Sequence, residues 1–530
     1  MTAKPEEVQS AGLIEGGIDA IVIGASADGL AAAAYLGKAG LRTLLLEESA
    51  EIGGPVRARD IAPGVAGIDG EHLVRILDPD VINELDLYRF GVKYAARRLD
   101  TVYYFDDGET LQLDGDLQHA ADLMLDDDTR DQFGAFMRDA LELSAFLRPA
   151  FSPLRSVGDE NATKQMLDKA LGQASPEISA MITRYALASI EDVLNAKFED
   201  GPVKTLLTSE AAFLSGAAPH EAFSFMSFLR SLAGEMAGLQ GASAYPEGGA
   251  VAIINALRRS VQAAKVEIRA AARVKSILIE WDRAAGVVLE NGGQVRAPVI
   301  INALDARRAF LDMIGPDIID IEFQRMLTAP RSHLASARVQ ITLKGEAQNE
   351  ATKDNLNRRL VYAPPPEDVR RAFIDARAGR VPENLIVEAI FPGALDTEAA
   401  LDGDHLLSAI AHPLPFDEAP DRRRRNEISA AILAMLEKIA PDIGEQVDIV
   451  DLRLPCDLAR ATVASSAAYA AKPTMMQQWA LANISTSASD IGGVYFCGPE
   501  AQIGAGLSCT AGKNAAKAAL REFKKRGGAP

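Results

Sequence analysis

Glycines recur in this 530-residue chain where a backbone must pass close to a bound ligand. Gly24 ends a short apolar run and Gly29 follows, with Ser26 at the middle position of a G-x-G-x-x-G pattern. In that pattern the glycines allow a tight turn, and the N-terminus of the following helix binds a pyrophosphate. Ser26 departs from the pattern, because its Cβ takes up room, but its hydroxyl can donate to a phosphate oxygen. The spacing predicts a dinucleotide site.

Glu47 ends the next apolar run, RTLLLE. A carboxylate there accepts hydrogen bonds from both ribose hydroxyls and favours a ribose without a 2′-phosphate. Gly53 and Gly54 follow, and then Arg57. A Gly-Gly pair soon after the ribose acid is typical of FAD-binding flavoproteins, whereas a plain surface turn is the alternative. The spacing therefore favours FAD over NAD.

A third glycine group lies near the end of the chain. An apolar strand runs into Gly498, and Gly504-Ala505-Gly506 then opens a predicted helix over 507–524. The helix dipole there would stabilise negative charge at the N1–C2=O end of a flavin.

These motifs require βαβ order and a parallel sheet, with strands predicted at 19–24, 42–47, 266–269 and 299–303. The predicted fold class is α/β, with a Rossmann-like FAD-binding domain and an inserted α+β substrate domain. The predicted segments are a flexible tail (1–17), a discontinuous FAD-binding domain (18–114, 241–330 and 485–530) and a substrate domain with a helical insert (115–240 and 331–484).

Composition excludes several functional classes. The net charge of −19 disfavours binding to nucleic acid. Three cysteines cannot supply a disulfide framework, and they fit a reducing compartment. The N-terminus resembles neither a signal nor a transit peptide, and no apolar run reaches membrane-spanning length. We expect a cytoplasmic protein, and Arg422–Arg425 leave peripheral contact with a membrane open, with a solvated helix face as the alternative.

The ordered glycine motifs, together with Tyr245-Pro246-Glu247-Gly248-Gly249 and Val494-Tyr495-Phe496-Cys497-Gly498, resemble those of the phytoene-desaturase-like flavoproteins of the flavin amine oxidase superfamily. The pattern is most similar to the branch of the pyridine nucleotide-disulphide oxidoreductase domain-containing protein 2. The resemblance covers roughly 18–524. It is specific for the superfamily and much less specific for the substrate.

The resemblance implies an FAD-dependent desaturase or dehydrogenase that moves hydride from a hydrophobic, isoprenoid- or carotenoid-like substrate to flavin N5. It also implies an electron acceptor such as oxygen or a quinone. Val274 takes the place of a residue whose backbone holds the adenosine half of FAD. The alternatives are an amine-oxidase-like flavoenzyme and a degenerate flavoprotein that serves as a binding or scaffold protein.

Four departures from the family pattern cluster at the expected flavin contacts. Ser26 replaces a glycine, and Gln502 stands in the place of the family's His in the His-Pro pair. Cys509 occupies a position expected to be small or glycine. Pro499 replaces the acid that often binds the ribityl chain, and Glu500 follows one residue later.

Catalytic side chains are less well marked. None of the six histidines has metal-ligand spacing, so no metal site is predicted. His72, His220 and Tyr245 are candidates, with hydrogen-bonded or packed structural roles as the alternatives. A Phe- and Met-rich segment from His220 onward predicts core packing, with a lipophilic substrate pocket as the second interpretation.

Overall fold

The computed structural model describes residues 17–63, 65–113, 125–151, 172–328, 334–344, 353–396, 406–441, 443–462, 491–501 and 506–527. The strands, in chain order, are β1 (Ala20–Ile23), β2 (Thr43–Leu46), β3 (Ala58–Ala62), β4 (Val65–Ile68), β5 (Tyr94–Ala96), β6 (Thr101–Tyr104), β7 (Thr110–Leu113), β8 (Glu235–Met236), β9 (Leu239–Gln240), β10 (Tyr245–Pro246), β11 (Glu267–Arg269), β12 (Val274–Glu280), β13 (Arg283–Leu289), β14 (Gln294–Arg296), β15 (Val299–Asn302), β16 (Leu334–Leu343), β17 (Arg359–Tyr362), β18 (Ile386–Ile390), β19 (Leu406–Pro415), β20 (Val447–Arg453) and β21 (Val494–Phe496).

The helices are α1 (Ala27–Lys38), α2 (Pro79–Glu84), α3 (Asp127–Phe151), α4 (Pro176–Tyr185), α5 (Ile190–Asn195), α6 (Pro202–Ser215), α7 (Ser224–Leu232), α8 (Val251–Ala263), α9 (Ile321–Thr328), α10 (Pro366–Arg377), α11 (Pro392–Leu395), α12 (Arg422–Ile439), α13 (Ile443–Gln446), α14 (Pro455–Thr462) and α15 (Thr510–Lys525). A π-helical turn spans Arg307–Asp312 and a 3₁₀ turn spans Pro499–Ala501.

Five parallel strands form the first sheet, in the order β11-β2-β1-β15-β21. Apolar side chains of α1, α8 and α15 cover one face of this sheet, and the β12–β14 meander and α9 cover the other. A parallel strand buried on both faces explains why β1 and β2 are apolar at every position. The predicted Rossmann-like fold is confirmed, although its strands come from three separate parts of the chain.

A second sheet has seven strands in the order β20-β16-β19-β18-β17-β6-β7. Side chains alternate between its faces. One face is apolar and packs against α12. At the β6–β7 end, the opposite face packs on α3, α5, α6 and α7. In the middle strands, the same face carries polar and charged side chains.

One prediction needs adjustment, and the structure agrees with another. Strands β6 and β7 were expected within the FAD-binding segment 18–114, but they belong to the seven-stranded sheet, where β6 pairs with β17. The local pattern of a strand does not reveal a partner so distant in sequence. Helix α7 of the Phe- and Met-rich segment buries Phe225, Met226 and Phe228 in the helical core, which is the packing interpretation.

Among the described residues, no helix is both long and apolar enough to cross a membrane. Helix α12 begins with the four arginines. Arg425 is paired with Asp457 and Arg424 with Glu427, so part of this basic run is neutralised within the fold. The tail at residues 1–16 lies outside the described residues.

Candidate functional site

Glu47 lies at the carboxyl end of β2 and is 7% exposed. Its Oε2 accepts from the Ala25 N–H at 2.7 Å, and its Oε1 accepts from the Ser49 N–H at 2.8 Å. These two bonds fix the carboxylate beside the loop that joins β1 to α1. Each oxygen keeps a lone pair, so the group can still accept from ribose hydroxyls.

The turn between β1 and α1 requires glycine at two positions. Gly24 has a φ of +93°, which L side chains rarely adopt. A Cβ on Gly29 would lie 1.9 Å from the Gly24 carbonyl oxygen, so only glycine lets α1 begin this close to β1. Ser26 is the N-cap of α1, and its Oγ accepts from the Gly29 N–H at 3.4 Å. The hydroxyl hydrogen of Ser26 therefore remains available to a phosphate oxygen.

The Gly53-Gly54 loop folds back on this turn. The Gly53 N–H donates to the Ala25 carbonyl oxygen at 2.9 Å, and both glycines have positive φ. A Cβ on Gly54 would lie 3.1 Å from the Ser26 Cβ, so the loop passes close to the serine that replaces the family's glycine. Arg57 Nε donates to the Gly54 carbonyl oxygen at 3.0 Å, which holds the loop in place.

The C-terminal motif meets the same edge of the sheet. A Cβ on Gly498 would lie 1.9 Å from the Leu304 carbonyl oxygen, so the chain passes tightly beside β15. Glu500 Oε2 accepts from the Ala306 N–H at 3.0 Å, at the start of the π-helical turn. Gly506 has a φ of +128°. Gln502, Gly504 and Ala505 lie outside the described residues.

Cys509 shows why this position favours a small residue or glycine. It is the N-cap of α15, has a φ of +58° and is fully buried. Burial raises the pKa of its thiol well above the usual value, and the charges of Asp28 and Asp78 act in the same direction. The thiol is therefore a packed group.

Val274 is the first residue of β12 and is 3% exposed. The chain just before it contacts the Glu47 loop, because the Ala272 N–H donates to the Glu47 carbonyl oxygen at 2.8 Å. The backbone role of Val274 in holding adenosine stays a prediction.

These residues fit an FAD diphosphate and ribose. The N-terminus of α1, the Glu47 carboxylate and the Gly53-Gly54 loop converge at the carboxyl edge of the parallel sheet, where such ligands bind. The positive end of the α1 dipole would stabilise the phosphates. Gly29 lets α1 begin close to β1, and Gly54 lets its loop approach Ser26.

A second part of the site is the polar face of the seven-stranded sheet, opposite the segment 69–76. Asp69, which is 1% exposed, accepts from Arg59 Nε at 2.9 Å and from Arg453 Nη2 at 3.2 Å. These bonds join the β3–β4 hairpin to strand β20. The β3–β4 hairpin and the second sheet are thus held together by partly buried ion pairs.

A chain of buried charges continues across this face. His72 Nε2 lies 2.8 Å from Glu388 Oε1, and His72 Nδ1 lies 3.1 Å from Ser408 Oγ. Glu388, which is fully buried, also pairs with Arg75 and Arg359. Arg359 then forms two bonds of 2.9 Å to Glu210 of α6. The network links the flavin side of the sheet to the helical layer.

Burial and the neighbouring charges determine the protonation of His72 and Glu388 in this network. Burial lowers the pKa of His72 to about 4, against the opposing effect of Glu388, so the imidazole is neutral at pH 7. Burial alone would raise the pKa of Glu388, but Arg359 and Arg75 hold it well below the usual value. Both ring nitrogens of His72 are hydrogen-bonded. This is the structural role that the sequence left open as the alternative to catalysis.

Tyr245 and His220 differ in their placement. Tyr245, in β10, is 4% exposed, and burial raises its pKa to about 12, with Asp396 contributing and Arg338 opposing. It packs in one buried cluster with Leu73 and Ile390, and Ile390 is two residues beyond Glu388 in β18, on the same face of the sheet. His220 is half-buried beside Arg370 and Arg377, at the outer side of the helical layer. The structure brings Tyr245 and His72 to the same face and does not bring His220 there.

Sequence reasoning missed Arg338, Gln340, Glu388 and Arg359. The signal was present in β16, where polar side chains occupy every second position between apolar ones. Such alternation predicts one polar face, and a buried arginine on that face is expected to pair with a carboxylate or another acceptor. Within the described ranges, no group of three or more His, Cys, Asp or Glu could hold a metal ion.

Comparisons with known proteins agree with this geometry. Residues 29–338, more than half of the chain, match the family described as flavin containing amine oxidoreductase. The chain is 26% identical to the mouse pyridine nucleotide-disulfide oxidoreductase domain-containing protein 2 over 563 aligned residues, which cover 96% of this chain and 94% of the relative.

Solved structures share the fold. Wild-type putrescine oxidase bound to putrescine aligns with a TM-score of 0.61 at 15% identity, covering 96% of this chain and 99% of that one. Cyclohexylamine oxidase from Brevibacterium oxydans aligns with a TM-score of 0.57 at 18% identity, covering 97% and 100%.

Proposed function

We propose that this chain, which belongs to the flavin-containing amine oxidoreductase family and is an FAD-dependent oxidoreductase, oxidises an organic substrate bound beside the polar face of the second sheet. The observation that carries the proposal is the position of the Glu47 carboxylate, which accepts hydrogen bonds from the Ala25 and Ser49 N–H groups. That geometry presents a fixed acceptor to a ribose at the sheet edge where phosphates bind.

Bound flavin supplies the two-electron acceptor, and the protein supplies orientation and a site that excludes water. The N-terminus of α1, Glu47 and the Gly53-Gly54 loop would hold FAD, which would supply the acceptor for a hydride from a substrate C–H bond. Molecular oxygen or a quinone is the class of final electron acceptor. The buried network of Glu388 and Arg359 holds the sheet rigid on the substrate side, and neutral His72 is anchored by it.

The predicted isoprenoid- or carotenoid-like substrate stays a prediction. One feature that suggested it, the Phe- and Met-rich α7, is explained by core packing. Amine oxidation is the second candidate, because the putrescine and cyclohexylamine oxidases named above share this fold. A C–H bond next to nitrogen gives up hydride readily, since the nitrogen lone pair stabilises the cation left behind. Localisation and peripheral contact with a membrane also remain proposals.

The test is the visible spectrum of the purified protein under anaerobic conditions. We expect bound flavin, and we expect bleaching by one substrate class among putrescine, cyclohexylamine and a lipophilic polyene such as squalene. Peroxide released with an amine after oxygen is admitted would assign the amine branch. A colourless protein that stays colourless with added FAD would refute the proposal. Flavin that dithionite reduces but no organic substrate does would favour the scaffold alternative.

A further inference from the structure

Arg338 is a buried cation on the polar face, and part of its donor set is unused. Its side chain is 6% exposed, and its Nη2 donates to Ser408 Oγ at 3.1 Å. Among the described residues, its Nε and Nη1 have no hydrogen-bond partner. A guanidinium carries five N–H donors and is costly to bury without acceptors, so this arrangement calls for a further partner.

Two of the nearby carboxylates, Asp69 and Glu388, are occupied by other groups. Asp69 accepts from Arg59 and Arg453, and Glu388 is bound by His72 and two other arginines. Burial lowers the pKa of Arg338 to about 10, while Asp69, Tyr245 and Glu71 oppose that change, so the guanidinium is charged at pH 7. The side chain is thus a cation whose hydrogen bonds the described protein groups leave incomplete.

A second unpaired atom lies on the same strand. Gln340 is two residues beyond Arg338 in β16, so both side chains are on one face of the sheet. Its Nε2 donates to the Ile68 carbonyl oxygen at 2.9 Å, but its Oε1 is buried without a partner among the described residues. Two donor nitrogens of Arg338 and one acceptor oxygen of Gln340 are therefore unsatisfied, among the described residues, at neighbouring positions.

These atoms lie on the flavin side of the sheet. Glu71, which acts electrostatically on Arg338, places its Oε1 3.9 Å from where a Cβ of Gly506 would stand. Gly506 belongs to the C-terminal glycine motif, so Glu71 lies near both that motif and Arg338.

We propose that Arg338 binds an anionic group of carboxylate type on the substrate, so that the substrate class is an organic acid. The inference rests on the proposed function, because it assigns Arg338 to the space in which the substrate is oxidised. A planar guanidinium matches a carboxylate through two parallel bonds. A substrate that carried only a protonated amine would instead place a second cation beside Arg338.

The experiment is isothermal titration of the flavin-loaded protein with acetate, benzoate and decanoate, each compared with its amide. We expect at least one acid to bind at least tenfold more tightly than its amide. Arg338→Gln should lose that preference, and Arg338→Lys should keep part of it because the charge remains. Arg371→Gln, on the exposed face of α10, is the matched control and should bind as the wild type does.

Equal affinity for each acid and its amide in the wild type would overturn the inference, and so would unchanged acid binding in Arg338→Gln. The same holds if Arg338→Gln shifts the flavin reduction potential but leaves acid binding intact, because the guanidinium would then serve the cofactor. Titration heat does not depend on flavin. Acid binding that needs Arg338 in a protein that retains no flavin would refute the proposed function and leave the anion site standing.

Discussion

Glu47 offers the sharpest test of the cofactor site, through the isosteric change Glu47→Gln. The amide keeps one carbonyl oxygen and replaces the other oxygen with NH₂. One of the two N–H groups, of Ala25 or Ser49, then loses its acceptor and faces another donor. The side chain is 7% exposed, so water does not readily take the missing place.

The size of the effect follows from that geometry. An unsatisfied buried donor costs folding stability equally with and without FAD, so it lowers the thermal midpoint and leaves the affinity unchanged. The affinity falls because the charged acceptor of the ribose hydroxyls is lost, and a hydrogen bond to a charged group contributes about 1.5–3 kcal/mol. Because 1.4 kcal/mol is tenfold in an equilibrium constant, we expect the FAD dissociation constant to rise about 10- to 150-fold.

The assay is fluorescence titration of the flavin-free protein with FAD, together with the thermal midpoint of the same samples. Glu51→Gln is the exposed control and should bind FAD as the wild type does. Glu48→Gln is a second control, because Glu48 pairs with Arg273 and Arg308 and its loss should lower stability more than FAD affinity. A dissociation constant for Glu47→Gln within twofold of the wild type would refute the alignment of the ribose acid.

Three further outcomes are expected. Arg359→Met leaves Glu210 and Glu388 buried without their shared cation, and urea unfolding should show a loss of about 3–5 kcal/mol. A loss below about 1 kcal/mol would contradict the burial of this network. Burial lowers the pKa of His412 from 6.5 to about 4. As pH falls, this histidine is therefore protonated in the unfolded chain before it is protonated in the folded protein. Up to about 3 kcal/mol of folding stability should be lost between pH 6.5 and 4. In His412→Gln the slope of stability against pH should flatten across that window, and an unchanged slope would count against the burial effect. All three cysteines are buried, so a thiol reagent should label none of them in the native protein and all of them after unfolding, and rapid native labelling would contradict that burial.

The FAD-binding part of the fold could be predicted from the sequence because its determinants are local. Gly24, Gly29 and Glu47 lie within one strand–helix–strand unit, where positive φ and close approach restrict residue type. Their spacing predicts the dinucleotide site without any information about the rest of the chain. The same local logic explains Cys509, since its left-handed φ accounts for the glycine that the family favours there.

The second sheet could not be predicted in that way. His72 and Glu388 are 316 residues apart in the chain, and each is an isolated polar residue in its own segment. Only the register of the strands sets Arg338 opposite Arg453 and Gln340 opposite Ser408. A strand pattern shows that a residue points to one face, but it does not identify which strand lies beside it.

The sequence by itself therefore determined the cofactor and the sheet edge that holds it, because a tight turn and a ribose acid restrict residue types over a few tens of positions. Only the tertiary structure decided which charges are buried together and which donors of Arg338 are left unpaired. Hydrogen-bond satisfaction and desolvation depend on every group packed around an atom, and those groups come from segments throughout the chain.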